Sequence, residues 1–212
     1  MILVGQYDSP FVRRVAVALN ILGLPYEHRP WSAFGDADRL ATLNPMRRVP
    51  VLVLADGEPL IESAVILDHL DELAGEARLI ARDGPARRSM LRVCALATGL
   101  CDKMVGLFYE QLLHEEPSEA WVARCSVQIE GVLAALEAAR AACATRFWFG
   151  TTPGHPDIAV ACALRFLEEA HPRLHAPSRR PHLAAHAAAC EAMPAFASAV
   201  KPFTPPRRSG PA

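Results

Sequence analysis

The first ninety residues contain no cysteine: Cys94, Cys101, Cys125, Cys143, Cys162 and Cys190 all lie beyond them, and no two form a C-x-x-C pair. That absence argues against a dithiol–disulfide oxidoreductase in the N-terminal part. With no secretory leader, the six thiols read as reduced and mostly buried on helices. An excess of charge of one sign is missing too. Lys and Arg number 22 against 23 Asp and Glu, a formal net charge of −1, so no basic field points to nucleic acid or an anionic membrane. No apolar run is long enough to span a bilayer, and no charged leader precedes an apolar core. The expectation is a soluble, cytoplasmic protein. Ser9 has no G-x-S-x-G around it, which disfavours a serine hydrolase. His171/His175 and His182/His186 have the i,i+4 spacing of a helical metal pair, but Pro172 and Pro181 crowd them and no third ligand accompanies them. They read as solvated or interface histidines, and no metal is expected.

What is present is half hydrophobic (51%), with Ala and Leu enriched in the second half. The chain is long enough for one large or two small domains. Apolar Met1–Val4 gives way at Tyr7-Asp8-Ser9-Pro10-Phe11-Val12-Arg13-Arg14 to a helical stripe of Val15, Val17, Ala18, Leu19 and Leu22. Pro10 has no N–H and fits a first helical turn, so Ser9 is the residue just before the helix. Its hydroxyl can cap the helix or serve a ligand at the positive dipole end. A strand follows over Pro25–Trp31, then a short helix from Gly35-Asp36 that ends before Asn44-Pro45. Val49–Leu54 reads as a strand, Asp56-Gly57 as a hairpin turn and Glu58–Ile61 as the return strand. Glu62-Ser63 opens a helix with Ile66, Leu70 and Leu73 as its stripe, flanked by Val65 and Leu67.

Strand, helix, strand, helix, hairpin, helix is a small α/β layer of thioredoxin-like connectivity, with a parallel first pair and antiparallel hairpin strands on one sheet. The reading divides the chain into a thioredoxin-like domain over 1–77, a linker over 78–85, an all-α domain over 86–204 and a tail over 205–212 that is extended or mobile. In the second domain, helices are expected over 88–113, 119–144 (Val122, Ile129, Val132, Leu133 and Leu136 inward) and 155–171. Shorter segments around Pro181-His182-Leu183 and Pro194-Ala195-Phe196 follow.

This arrangement resembles the glutathione transferase family, on four motifs in order. Ser9-Pro10-Phe11-Val12 stands where glutaredoxins carry C-P-Y-C, and with Arg13 it looks like the start of bacterial serine-type transferases. Val49-Pro50 is similar to the family's cis-proline dipeptide, and Glu62-Ser63 to its glutamyl-binding pair. Gly150 to Asp157 resembles its capping segment, with Gly154 in place of the usual hydroxyl residue.

The resemblance implies a glutathione transferase fold and a homodimer with glutathione as substrate. Ser9 is then the catalytic residue, stabilising the thiolate that glutathione brings rather than acting as nucleophile or base. Implied glutathione contacts are Ser9, Phe11, Arg48, Val49, Pro50, Glu62 and Ser63. Arg47 stands beside Arg48 as the alternative partner for the glycyl carboxylate. A pocket for a hydrophobic electrophile is implied at Phe34, Met104, Val105 and Phe108. Asp102 is a further residue that in some relatives reaches the glutathione ammonium. Two other readings fit the same motifs: a non-catalytic glutathione-binding module, and a glutathione-dependent isomerase or peroxidase.

Overall fold

The structure is a computed structural model, and it describes residues 1–205. The expected tail beyond Pro205 lies outside the described residues. Contacts divide the chain into two compact units, one of Met1–Arg82 with Glu191–Thr204, the other beginning at Asp83 and running to Cys190.

The first unit is built on four strands, β1 (Ile2–Val4), β2 (Glu27–Arg29), β3 (Val51–Val53) and β4 (Pro59–Ile61), in the order β2-β1-β3-β4. β1 and β2 pair in parallel across helix α1 (Pro10–Leu22), while β1–β3 and β3–β4 are antiparallel. The mixed sheet is the one expected from the connectivity. Both of its faces are covered. Val4 and Val51 are cross-strand partners buried with Leu40 of the short helix α2 (Ala37–Ala41). Their neighbours Leu3 and Leu52, one residue along, face the opposite side by the period of two. That side is where α1 and α3 (Ser63–Ala74) pack.

In α3 the stripe differs from its expected form. Ile66, Leu67 and Leu70 are buried, but Leu73 is 54% exposed and Val65 55%. A three-residue strand spans about 10 Å and a twelve-residue helix about 18 Å, so the last turn of α3 outruns the sheet that would cover it. α1 is closed at its far end by Gly23 at φ 65°, whose N–H reaches Asn20 O while Leu24 N–H reaches Leu19 O.

The second unit is all helical: α4 (Gly84–Leu113), α5 (Glu119–Ala141), α6 (His155–Ala170) and α7 (Pro181–Glu191, whose last residue belongs to the first unit), with α5 and α6 both packed on α4. Ile129, Leu133 and Leu136 of α5 are buried as expected, whereas Val122 and Val132 are only half-buried. Five cysteines are buried, Cys143 is half-buried, and all six are free thiols. No helix among the described residues is long and apolar enough to cross a membrane.

A boundary also moves. The segment around α8 (Pro194–Ala197) was expected in the all-helical domain, but it packs on α1 and belongs to the first unit. Phe196 of α8 is fully buried there.

Candidate active site

Sheet register alone brings three of the four motifs together. Val4 pairs with Val51, and Val51 pairs with Ile61. The chain leaving β1 toward Ser9, the dipeptide entering β3 and the chain leaving β4 at Glu62 therefore stand at one end of the sheet. Gly5 makes this close approach possible. Its φ is +130°, and a Cβ there would lie 2.5 Å from Val12 Cγ2 and 2.9 Å from Val49 Cβ.

Ser9 is the N-cap of α1. Its Oγ accepts a long hydrogen bond (3.4 Å) from Val12 N–H, and its carbonyl accepts from Arg13 N–H at 2.9 Å. A cap uses an oxygen lone pair and leaves the hydroxyl proton for another acceptor. Pro10 brings no donor, so Phe11 N–H is the donor that the first turn presents at the positive end of the dipole. Capping and ligand roles are thus compatible in one side chain.

Tyr7 is the other hydroxyl near this turn, and it is engaged elsewhere. Its OH lies 2.9 Å from Tyr26 OH, which donates on to Asn20 Oδ1 at 3.3 Å. Its ring stacks on His28 at 3.9 Å between centroids. Burial, with the Tyr26 hydroxyl next, drives its acidity well below that of ordinary tyrosine. Tyr7 is held as a neutral structural phenol.

The Val49–Pro50 peptide is cis. Asn44 organises the loop that enters it: buried, it donates from Nδ2 to Arg48 O at 2.9 Å and accepts Met46 N–H on Oδ1 at 3.0 Å. In the sequence Asn44 stands out only as part of a helix stop. The Asn-Pro pair was the available signal, since a side chain that bonds backbone two residues on is an ordinary turn device.

Arg47 and Glu62 are the two described non-glycine residues with positive φ, at 52° and 66°. Such backbone is costly for a side-chain residue and clusters at functional sites. Glu62 stands immediately before α3, where Ser63 is buried and the first N–H groups of the helix have no intrahelical acceptor. Arg48 and Glu62 lie 3.5 Å apart, each about half exposed, and Arg47 pairs with Asp38 at 3.5 Å. An accessible cation, an accessible carboxylate and a helix N-terminus thus share the end of the sheet that carries Ser9. Such a set can hold a zwitterionic, peptide-like ligand with a group to be ionised at α1.

Of the other expected residues, Met104, Val105 and Phe108 belong to the second unit and Phe34 to the first. Met104 is wholly buried in α4, a core residue of the second unit with no surface to offer a pocket. Val105 and Phe108 are half-buried in α4, with Phe108 edge-on to His171 at 6.4 Å, and Phe34 is 44% exposed in the first unit. Of the histidine pairs, His171 Nε2 is bonded to Met104 O at 2.8 Å and His186 is buried against Trp148 at 5.3 Å. No group of three or more metal-ligating side chains is present among the described residues. The fourth motif is structural. Asp157 accepts Gly154 N–H at 2.9 Å and Trp148 N–H at 2.8 Å, securing the start of α6.

Known proteins can be set beside this geometry. Residues 3–78 match the family described as the glutathione S-transferase N-terminal domain, and residues 119–189 the glutathione S-transferase C-terminal domain. A probable glutathione S-transferase, GSTU6 of Oryza sativa subsp. japonica, is 31% identical over 194 residues, covering 86% of this chain and 80% of that one. The chain spans about half the length of several other curated relatives. Glutathione S-transferase U6 of Arabidopsis thaliana is 36% identical over 115 residues, 54% of this chain and 50% of the relative. A glutathione S-transferase of Methylobacterium radiotolerans, solved in complex with glutathione sulfonate, superposes with a TM-score of 0.90 at 30% identity, covering 100% of this chain and 99% of that one.

Proposed function

The chain belongs to the glutathione S-transferase family, and from that premise we propose that it is a serine-type transferase in which Ser9 stabilises the thiolate of bound glutathione. The observation that carries this reading is the shared sheet end. There Ser9 at the start of α1, cis Val49–Pro50, and Glu62-Ser63 at the start of α3 converge.

Each part of glutathione has a partner of matching chemistry. The Ser9 hydroxyl donates to the sulfur, and Phe11 N–H and the α1 dipole favour its negative charge over the neutral thiol. The thiolate attacks an electrophilic carbon, a C–S bond forms, and the leaving group departs with its electron pair. Ser9 neither gains nor loses its proton. Backbone groups beside Val49 and Pro50 take the cysteinyl peptide. Ser63 and the first N–H groups of α3 take the glutamyl carboxylate, and Glu62 takes the ammonium. Arg48 takes the glycyl carboxylate. Binding therefore exchanges the Arg48–Glu62 pair for two ligand pairs of the same signs.

Val105 and Phe108, half-buried side chains of α4, remain proposed for a hydrophobic electrophile. A homodimer, the assembly that the family resemblance implies, is proposed as well. A concentration-independent monomer mass in sedimentation would overturn it.

The test of the main reading is the thiolate ultraviolet absorbance of bound glutathione against pH, in wild type and Ser9→Ala. The wild-type thiol is expected well below its unperturbed value of about 8.5, with the variant restoring it upward. Turnover of Ser9→Ala should fall more than about tenfold with glutathione affinity within a few-fold, because the hydroxyl acts on the thiolate. Tight binding with an unshifted thiol would favour the glutathione-binding module instead.

A further inference from the structure

Arg13 stands in the first turn of α1, where the dipole disfavours a cation, and it is only 2% exposed. A buried charge there needs close partners. Its Nη1 and Nη2 donate to the two carboxylate oxygens of Glu191, both at 2.7 Å. Nε donates to Ala199 O at 2.8 Å, Nη2 also to Phe196 O at 3.3 Å, and the guanidinium lies 5.8 Å from the centroid of the Phe196 ring. Every one of these groups belongs to the returning segment 191–204, a strap across the first unit. The main chain of the same residue donates its N–H to Ser9 O at 2.9 Å. Arg13 is thus fastened to the strap by its side chain and to Ser9 by its backbone. Asp8, just before Ser9, is tied to the strap too. Burial raises its pKa, while the Lys201 charge and the Thr204 backbone favour its anion.

We propose that Arg13 is a positioning residue for Ser9, so that the strap 191–204, held through Glu191 and the carbonyls of Phe196 and Ala199, is a working part of the thiol site. The inference rests on the reading of Ser9 given above. It differs from a direct charge effect in sign. If Arg13 acted by its charge, Glu191→Gln would leave an uncompensated cation one turn from the thiol and lower the thiol pKa. If Arg13 acts by position, the same change loosens the turn and raises it.

The experiment is the titration of bound glutathione in Arg13→Lys and Glu191→Gln, each with and without Ser9→Ala, alongside thermal melts. Each variant should raise the bound-thiol pKa by about half a unit or more and lower kcat by about threefold, with KM for glutathione within about twofold. Neither should shift the thiol further once Ser9 is Ala. Asn20→Ala is the structural control. Asn20 holds the strap at Ala195 O and Ser198 Oγ, both at 3.0 Å, so its loss should lower the melting temperature and leave the thiol unmoved. Should Arg13→Lys fail to fold, Glu191→Asp, which keeps the charge but shortens its reach, carries the same expectation.

A lowered thiol pKa in Glu191→Gln, or an unchanged one in both folded variants while Ser9→Ala still shifts it, overturns the inference and spares the function. A thiol that Ser9→Ala leaves unmoved overturns both.

Discussion

Asn44 is 1% exposed and uses both ends of its amide, one on Arg48 O and the other on Met46 N–H. Asn44→Ala would leave those backbone groups without their partners, at a cost of about 2 kcal/mol. Urea unfolding would measure that cost. Because the loop carries Arg48 into the cis Val49–Pro50 step, calorimetry should also show glutathione affinity reduced several-fold. Affinity unchanged in a folded Asn44→Ala would detach the loop from the site. The contrast between Asn44 and Ser9 shows what residue-level reading can reach. Ser9, Pro50, Glu62 and Ser63 are marked by local events, helix starts and a proline step, while the ligand roles given to them rest on the family resemblance. Asn44 sits in an equally local turn, but an Asn-Pro pair looks the same whether the side chain faces solvent or fastens a loop. The carboxylate partner of Arg13 is 178 residues away, and no local pattern encodes such a pairing.

At the scale of elements, pattern located the strands and helices and connectivity gave the parallel and antiparallel pairings, while the register that gathers the motifs is visible only in the structure. Pattern failed where coverage decides burial. Leu73 keeps the stripe's spacing on α3 yet is exposed, because the short sheet ends beneath it. The same limit moved the domain boundary, since α8 is helical as read but packs on α1, where Phe196 is buried and its carbonyl accepts from Arg13. The start of α6 offers a test at this scale. Gly154 occupies the cap with extended backbone (φ −117°, ψ −173°) that any residue adopts, and Asp157 already reaches back to its N–H. Gly154→Ser adds the missing acceptor without disturbing that bond, so it should stabilise by only a few tenths of a kcal/mol. Thermal melts should show a small gain with transferase kinetics unchanged. A loss of stability would mean that the cap is packed too tightly to admit a side chain.

For the molecule as a whole, acid should be more damaging than the near-zero net charge suggests, and the cause is buried histidine. His186 is 2% exposed, its Nδ1 has no hydrogen-bond partner among the described residues, and Cys190 Sγ and Asp157 Oδ1 lie 3.6 and 3.8 Å from its Nε2. Burial pushes its pKa down to about 4 from 6.5, and burial lowers that of His171 as well. A depressed histidine is neutral in the folded state while the unfolded chain takes up a proton, so its contribution is complete above pH 6.5 and is lost as pH falls through 4. For His186 alone that loss amounts to about 3 kcal/mol, a large share of a typical domain's stability. Asp157 works the other way. Burial raises its pKa, so the stability it contributes when protonated is present in acid and lost as pH rises through that pKa. It therefore offsets part of the histidine loss at the lowest pH. Denaturant unfolding between pH 7.5 and 4.5 should accordingly show stability falling from about pH 6.5 downward. His186→Gln, which removes the titrating ring but keeps a polar side chain in the same place, should be less stable than wild type at pH 7.5 and flatter across the interval. A wild-type curve already flat between pH 6.5 and 4.5 would show that the buried ring gains a proton without cost, and that water reaches it.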